Sequence, residues 1–311
     1  MATISIIMST CNDSEYIAES IDSVLSQTCA DFEFIIINDG SPDPRTMEIL
    51  SKYEKRDKRI KIIRKANEGL TKALIEGCKT AIGRYITRID VGDIMISTRL
   101  DKQKAILDDN QDCAFVSCET EFCGPKWEYL WVERGKCAYN KPVVIIPDDP
   151  NEPEWIIPHH CSVMFRHTAY EFVGGYREQF YYAQDWDLWY RLTRAGKFYL
   201  IPEVLYRVRI FPNSIGMSSK RYQDALDKCL KNAFAAVQNN KDEQPWLEKA
   251  SLIRPDIPKL EKRKNAEPGF YFVGEALRRN SDNRCRGYFW RAINQAPWRA
   301  RSYIRWIQSF L

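Results

Sequence analysis

The chain has 311 residues, of which 44% are hydrophobic and 28% charged, with a formal net charge of +4 at pH 7. That length allows a large core and suggests two domains or one large one, the composition is that of an ordinary soluble globular protein, and no apolar run approaches a membrane span. Residues 269–311 carry eight Arg against Glu275 and Asp282, a net +6, which leaves −2 for the rest and no reason to expect nucleic acid as a partner.

The opening MATISIIMST has no basic leader and reads as a first strand, so a cytoplasmic location is expected. The ten cysteines are scattered without a Cys-x-x-Cys pair, and the five-residue spacing of Cys113, Cys118 and Cys123 fits no zinc pattern. Buried free thiols are the expected state.

In chain order, a short apolar run at Thr3–Met8 is followed by a helical face of Ile17, Ile21, Val24 and Leu25. Phe32–Ile37 is continuously apolar, as in a parallel strand covered on both faces, and stops at Asn38-Asp39-Gly40-Ser41-Pro42. A helix over Arg45–Lys55, a strand at Ile60–Ile63, a helix over Leu70–Thr80 and a strand at Tyr85–Ile89 follow. This β-α-β-α-β-α-β order predicts right-handed crossovers and a parallel sheet.

The carboxyl ends of these strands carry Thr10 to Asp13 (with Asn12), Asn38 and Asp39, Arg64 to Asn67, and Asp90 with Asp93. In a doubly wound sheet such loops converge on one crevice, where ligands bind. The first loop has no glycine, which excludes both the dinucleotide fingerprint and a P-loop. It equally lacks the glycine-rich basic segment that would hold a nucleoside triphosphate. Asp90 and Asp93 suit a divalent cation that holds a diphosphate, or else an acidic turn capping the next helix.

Beyond that point a charged helix over Asp101–Asp109 and a strand at Cys113–Phe122 are expected, then an irregular stretch, Lys126–Pro158, with Trp127, Trp131 and Trp155. Those rings either cover a sugar or pack beneath a long loop. His159 and His160 precede an expected strand, Cys161–Phe165, and nothing nearby completes a triad or a metal set, so a structural role is expected. In Asp185-Trp186-Asp187 the apolar periodicity turns one carboxylate toward the pocket and leaves the other to cap the helix or pair with Arg191 at i+4. Helices are expected over Ser219–Gln238, Gln244–Lys264, Tyr271–Asn280, Asn283–Gln295 and Trp298–Phe310. In the last of these Ala300, Tyr303, Ile304, Ile307 and Leu311 share one face and Arg301, Arg305 and Gln308 the other. Two readings stand open: the helix packs on the preceding domain, or it lies in a membrane interface.

The ordered segments SIIMSTCNDSEYIAESIDSVLSQT, FIIINDGSPD, RKANEGLTKALIEG, GRYITRIDVGD, VMFRHTAYEFVGGY, AQDWDLWYRL and PEVLYRVRIFPNSI resemble the successive blocks of a family 2 glycosyltransferase, over about residues 3 to 216. The resemblance implies an α/β fold of the GT-A nucleotide-diphospho-sugar transferase type: a mostly parallel doubly wound sheet followed by a C-terminal helical region. Residues 1–216 would form the GT-A domain, with a nucleotide-binding half (1–100) and an acceptor-binding half (101–216), and residues 217–311 the helical region.

It further implies an inverting enzyme that moves a sugar from a nucleotide-sugar donor, usually UDP-linked, to a hydroxyl of a glycan or lipid-linked glycan. Asp185 would be the general base, Thr10 would lie beside the nucleotide, Asp39 would accept from the base, and Asp90 would touch ribose or the metal-diphosphate. Asn12, Arg64, Asn67 and Arg209 complete the expected nucleotide side, with Mg²⁺ or Mn²⁺ at Asp90 and Asp93. Two departures touch the metal side: Gly92 stands where the family commonly has a carboxylate, and Phe211 where it often has His. They leave open a degenerate relative that binds a nucleotide sugar or a partner without catalysis. Lipid-linked acceptors, together with the basic last helix, suggest peripheral contact with an anionic membrane at its inner face.

Overall fold

The computed structural model describes residues 2–12, 14–134, 143–145, 158–212, 220–254 and 266–310. Asp13, Trp155, Asn213, Ser214, Ser219, Leu311 and the stretch 255–264 of the second expected C-terminal helix lie outside the described residues.

Three β/α units and a fourth strand come first. Strand β1 (Ile4–Thr10), helix α1 (Ile17–Leu25), β2 (Phe32–Asp39), α2 (Pro44–Arg56), β3 (Ile60–Lys65), α3 (Leu70–Thr80) and β4 (Tyr85–Arg88) alternate as the apolar runs predict. Strand β2 is buried at all eight positions, the condition of a strand with helices on both faces. Helix α2 opens on Asp43, which caps Arg45 N–H, followed by Pro44 in the first turn. The pairings β1–β2, β2–β3 and β1–β4 are all parallel, with Thr10 opposite Asn38 and Asn38 opposite Arg64. The carboxyl ends of these strands therefore lie at one edge.

The rest of the sheet is mixed, with antiparallel and parallel pairs. Strands β5 (Ile94–Met95), β6 (Cys113–Cys123), β7 (Tyr129–Glu133), β8 (Val143–Ile145), β9 (Met164–Arg166) and β10 (Lys197–Arg209) extend it in the order β3-β2-β1-β4-β9-β6-β10-β5, with β7 on β6 and β8 on β10. Between them lie α4 (Arg99–Asp109), α5 (His167–Phe172) and α6 (Gln184–Leu192). Two sequence expectations change here. Lys126–Pro158 contains β7 and β8 within its described parts. Cys161 and Ser162 sit in a 3₁₀ turn, His160–Ser162, because Ser162 N–H and Oγ both bond back to the His159 carbonyl, so the strand starts only at Met164.

Among the described residues five helices follow β10: α7 (Lys220–Gln238), α8 (Gln244–Leu252), α9 (Glu267–Arg279), α10 (Cys285–Gln295) and α11 (Ala300–Gln308). They divide between two compact units. The first unit is Met1–Thr120, Arg134–Arg207 and Ala225–Ile253, so most of α7 and all of α8 belong with the sheet. Leu226, Leu230, Leu247 and Ala250 join its core beside Leu188 and Trp189 of α6. The second unit is Glu121–Glu133, Val208–Asp224 and Arg254–Leu311, with its own core of Leu130, Val273, Leu277, Tyr288 and Phe289. Among the described residues nine cysteines are free, eight of them buried, and no helix is long and apolar enough to cross a membrane.

Candidate active site at the strand ends

The loop after β2 is built first. Gly40 has φ +69, and a Cβ there would come 2.5 Å from Asn67 N, so only glycine lets the two loops close together. Asp39, 3% exposed, accepts backbone N–H bonds from Glu68 (3.0 Å) and Gly69 (2.9 Å) at the start of α3. Each carboxylate oxygen retains a lone pair for a donor on a ligand. Thr10 is buried at the end of β1. Asn12 adopts φ +66, with its N–H on Ser41 Oγ at 3.0 Å, and Asn67 Nδ2 reaches Cys11 Sγ at 3.1 Å. Thus Asn12, Asp39 and Asn67 belong to one cluster of loops. Arg64 turns outward to Glu54 of α2 at 3.4 Å, half exposed.

The loop after β4 hangs on α1. Ser20 Oγ accepts from Gly92 N–H (2.9 Å) and donates to the Asp93 carbonyl (2.9 Å), and Ser23 Oγ accepts from Met95 N–H (3.2 Å). Gly92 has φ +98, a conformation that an acidic side chain would adopt only with strain, which gives a backbone reason for the missing carboxylate. Tyr206 of β10 staples the loop: its hydroxyl accepts from Asp90 N–H (3.2 Å) and donates to Asp93 Oδ2 (2.9 Å).

Asp90, 43% exposed, is ion-paired to Arg88, whose own side chain is 4% exposed. Arg88 Nη1 also lies 2.9 Å and 3.1 Å from the two ring nitrogens of His160, and Nε2 of that ring is 2.9 Å from the Tyr176 hydroxyl. Burial, with Arg88 and His159 adding to it, holds the His160 pKa well below its usual value, so the ring is neutral and can accept. His160 Nδ1 is 3.9 Å from Asp185 Oδ2, too long for a hydrogen bond but close enough to pack the ring beside the carboxylate.

Asp185 stands in the first turn of α6, behind Ala183 at φ +59, and its side chain is 19% exposed. Burial raises its pKa, while two backbone N–H bonds and the Arg88 charge act the other way. Two residues on, Asp187 is 2% exposed and ion-paired to Arg191, with Arg177 at 3.6 Å. The two carboxylates of this helix therefore separate as the periodicity predicts, one structural and one facing the Arg88–His160 group.

Asp90, Asp93 and Cys161 each offer one ligand atom, all within 4.8 Å of one another. Burial pushes the Cys161 thiol up to about 11, and its sulfur is a soft donor that suits neither Mg²⁺ nor Mn²⁺. The two carboxylates supply hard oxygen donors that fit Mg²⁺ or Mn²⁺. Arg209 lies in the second unit, its guanidinium 4.0 Å over the Trp127 ring, with Phe211 at 6.0 Å.

Sequence reasoning missed Arg88 and Tyr206. Arg88 sits in a strand that is buried at every position, and its partner His160 lies far along the chain, so an arginine there looks like an outward-facing residue paired to Asp90 alone. Tyr206 lies far along the chain and meets Asp90 only once β10 has joined the sheet.

Comparison with known proteins points the same way. The family model described as glycosyl transferase family 2 matches residues 5–172. An uncharacterized glycosyltransferase of Rickettsia prowazekii is 31% identical over 209 residues, covering 67% of this chain and 64% of that protein. A second, from Methanocaldococcus jannaschii, is 30% identical over 216 residues, covering 68% and 71%. Chondroitin synthase of Pasteurella multocida is 27% identical over 249 residues, 78% of this chain but 23% of that one. The chain thus spans just under two thirds of the Rickettsia relative's length. In fold, it matches the crystal structure of S. aureus TarS 1-349 in complex with UDP at a TM-score of 0.59 and 17% identity, covering 100% of this chain and 89% of that one.

Proposed function

From the premise that this chain belongs to glycosyl transferase family 2, we propose that it is an inverting glycosyltransferase acting on a nucleotide-diphosphate sugar, with UDP as the nucleotide. The acceptor is a hydroxyl of a glycan or a lipid-linked glycan. The observation that carries this reading is the buried Arg88, which touches Asp90 on one side and, through His160, abuts Asp185 on the other. Nucleotide-side and base-side carboxylates thereby share one rigid group. UDP is bound by TarS, which has the same fold.

In this reading Asp39 and Thr10 hold the nucleotide base, assisted by Asn12 and Asn67, and Asp90 faces the ribose and diphosphate. Asp185 takes the proton from the acceptor hydroxyl as its oxygen attacks the anomeric carbon. The bond from that carbon to the diphosphate oxygen breaks, and the electron pair leaves with the nucleotide. Burial suits Asp185 to this task, because a raised pKa makes the carboxylate a better base. A divalent cation held by Asp90 and Asp93 would neutralise the departing diphosphate. The nucleotide work falls to residues 1–100 and the acceptor work to 101–216.

A second reading, nucleotide-sugar binding without transfer, draws on Gly92 and on the pairing of Asp90 with Arg88, which already supplies a cation where a metal would act. Calorimetric titration of UDP with and without Mn²⁺, paired with turnover of a panel of UDP-sugars, separates the two. Metal-dependent binding with slow donor hydrolysis supports the transferase. UDP binding with no turnover of any donor supports the binder, and no UDP binding removes both.

A further inference from the structure

The last helix, α11, is packed the opposite way round from an ordinary surface helix. Its charged side faces its own unit. Glu267, fully buried, takes Arg299 Nη1 at 2.6 Å, Arg301 Nη2 at 2.9 Å and the Ser302 hydroxyl at 3.3 Å, and Glu275 takes Arg305 at 3.3 Å. Trp306 packs on the unit's core and against Trp290, with ring centroids 5.5 Å apart.

The apolar side is left outside. Ile304 is 53% exposed, Ile307 58%, Phe310 55% and Trp298, in the turn before the helix, 76%. Tyr303 and Trp290 flank them, also exposed. A contiguous group of large apolar residues of this kind marks an interaction site on a soluble protein.

The chemistry around the patch selects the occupant. The described segment 266–310 has eight arginines against Glu267, Glu275 and Asp282 and no lysine, so it stays strongly positive after its internal ion pairs are counted. Tryptophan and tyrosine at the rim, aliphatic residues at the centre and surplus arginine behind make the composition of an element that lies in a bilayer interface. We propose that the outer face of α11, from Trp298 to Phe310, docks on the surface of an anionic lipid bilayer, with Trp298, Ile304, Ile307 and Phe310 entering the headgroup region and the arginine excess supplying long-range attraction. The bonds to Glu267 and Glu275 orient the helix, so the apolar face is presented without refolding.

The test is co-sedimentation of the full chain with vesicles of equimolar phosphatidylglycerol and phosphatidylcholine, and with vesicles of phosphatidylcholine alone. The protein should partition onto the anionic vesicles, release as salt rises, and bind the neutral ones at least several-fold more weakly. The double substitution Ile304→Ser with Ile307→Ser should weaken partitioning by about tenfold or more, since it removes half-exposed aliphatic area that enters the interface. Trp298→Ser, in a turn with no part in the core, should weaken it independently. Leu252→Ser, at a residue 82% exposed in the first unit, should not. Thermal melts of all variants should match the parent. Failure to sediment with either vesicle, or unchanged partitioning of both the double variant and Trp298→Ser, would overturn the proposal. Concentration-dependent self-association in the absence of lipid, abolished by the same substitutions, would instead assign the face to a second copy of the chain.

Discussion

Arg88→Met is the most informative perturbation of the site. It removes the buried cation that touches Asp90 and both ring nitrogens of His160, and leaves a side chain of similar length. Hydrogen bonds to a charged group contribute about 1.5–3 kcal/mol each. The Asp90 share shrinks because that side chain is 43% exposed and solvent-screened, which leaves roughly 2–3 kcal/mol of lost stability in all. The melting temperature should fall by about 5–10 °C. The effect on chemistry is separate. Arg88 lowers the Asp185 pKa by its charge, against a larger rise from burial. Without it, Asp185 holds its proton to higher pH, so the acid limb of the kcat/KM profile moves up. Loss of orientation at Asp90 and His160 should cost about 10–100-fold in activity, the usual range for groups that position others. Arg88→Lys should restore part of the charge effect without the geometry. The assay is transfer followed over pH, with melts on the same samples. A variant with parental activity and an unmoved acid limb would refute the coupling, whatever its stability.

Other expectations follow from neighbouring contacts. Asp187→Asn breaks a buried pair with Arg191 and should cost about 3 kcal/mol in thermal melts while sparing the pH profile, because it acts on packing and not on the base. Asp39→Asn turns an amide N–H toward the backbone donors of Glu68 and Gly69, so calorimetry should find UDP binding weakened and stability lower by about 1–3 kcal/mol. Cys161→Ser should leave the Mn²⁺ dependence of activity unchanged, since sulfur is too soft a donor for that ion, whereas Asp93→Asn should raise the Mn²⁺ concentration needed for half activation.

The parallel half of the fold was legible because each apolar run ends at a polar turn and each helix keeps one apolar face. The pairing of Asp187 with Arg191 was legible too, since Arg191 stands one helical turn from Asp187. What stayed hidden depends on distance along the chain. Tyr206 reaches Asp90 through strand pairings that no local pattern encodes, and β5 has two residues, too few for a period. The buried Arg88 breaks the rule that charges face water, because its partner His160 comes within reach only once the sheet has formed. Helices α7 and α8 follow the last strand in sequence, yet pack in the first unit, since their apolar faces meet α6 there. For α11 periodicity separated two faces correctly but could not choose which points inward, and Glu267 with Glu275 makes that choice.

The account turns on Asp185 as the proton acceptor. Single-turnover transfer by Asp185→Asn, with UDP affinity measured on the same preparation, tests it most directly. The prediction is a rate about 10²–10⁴-fold below the parent, with UDP binding within a few-fold of it. A variant that still transfers sugar at a rate near the parent's would contradict the mechanism.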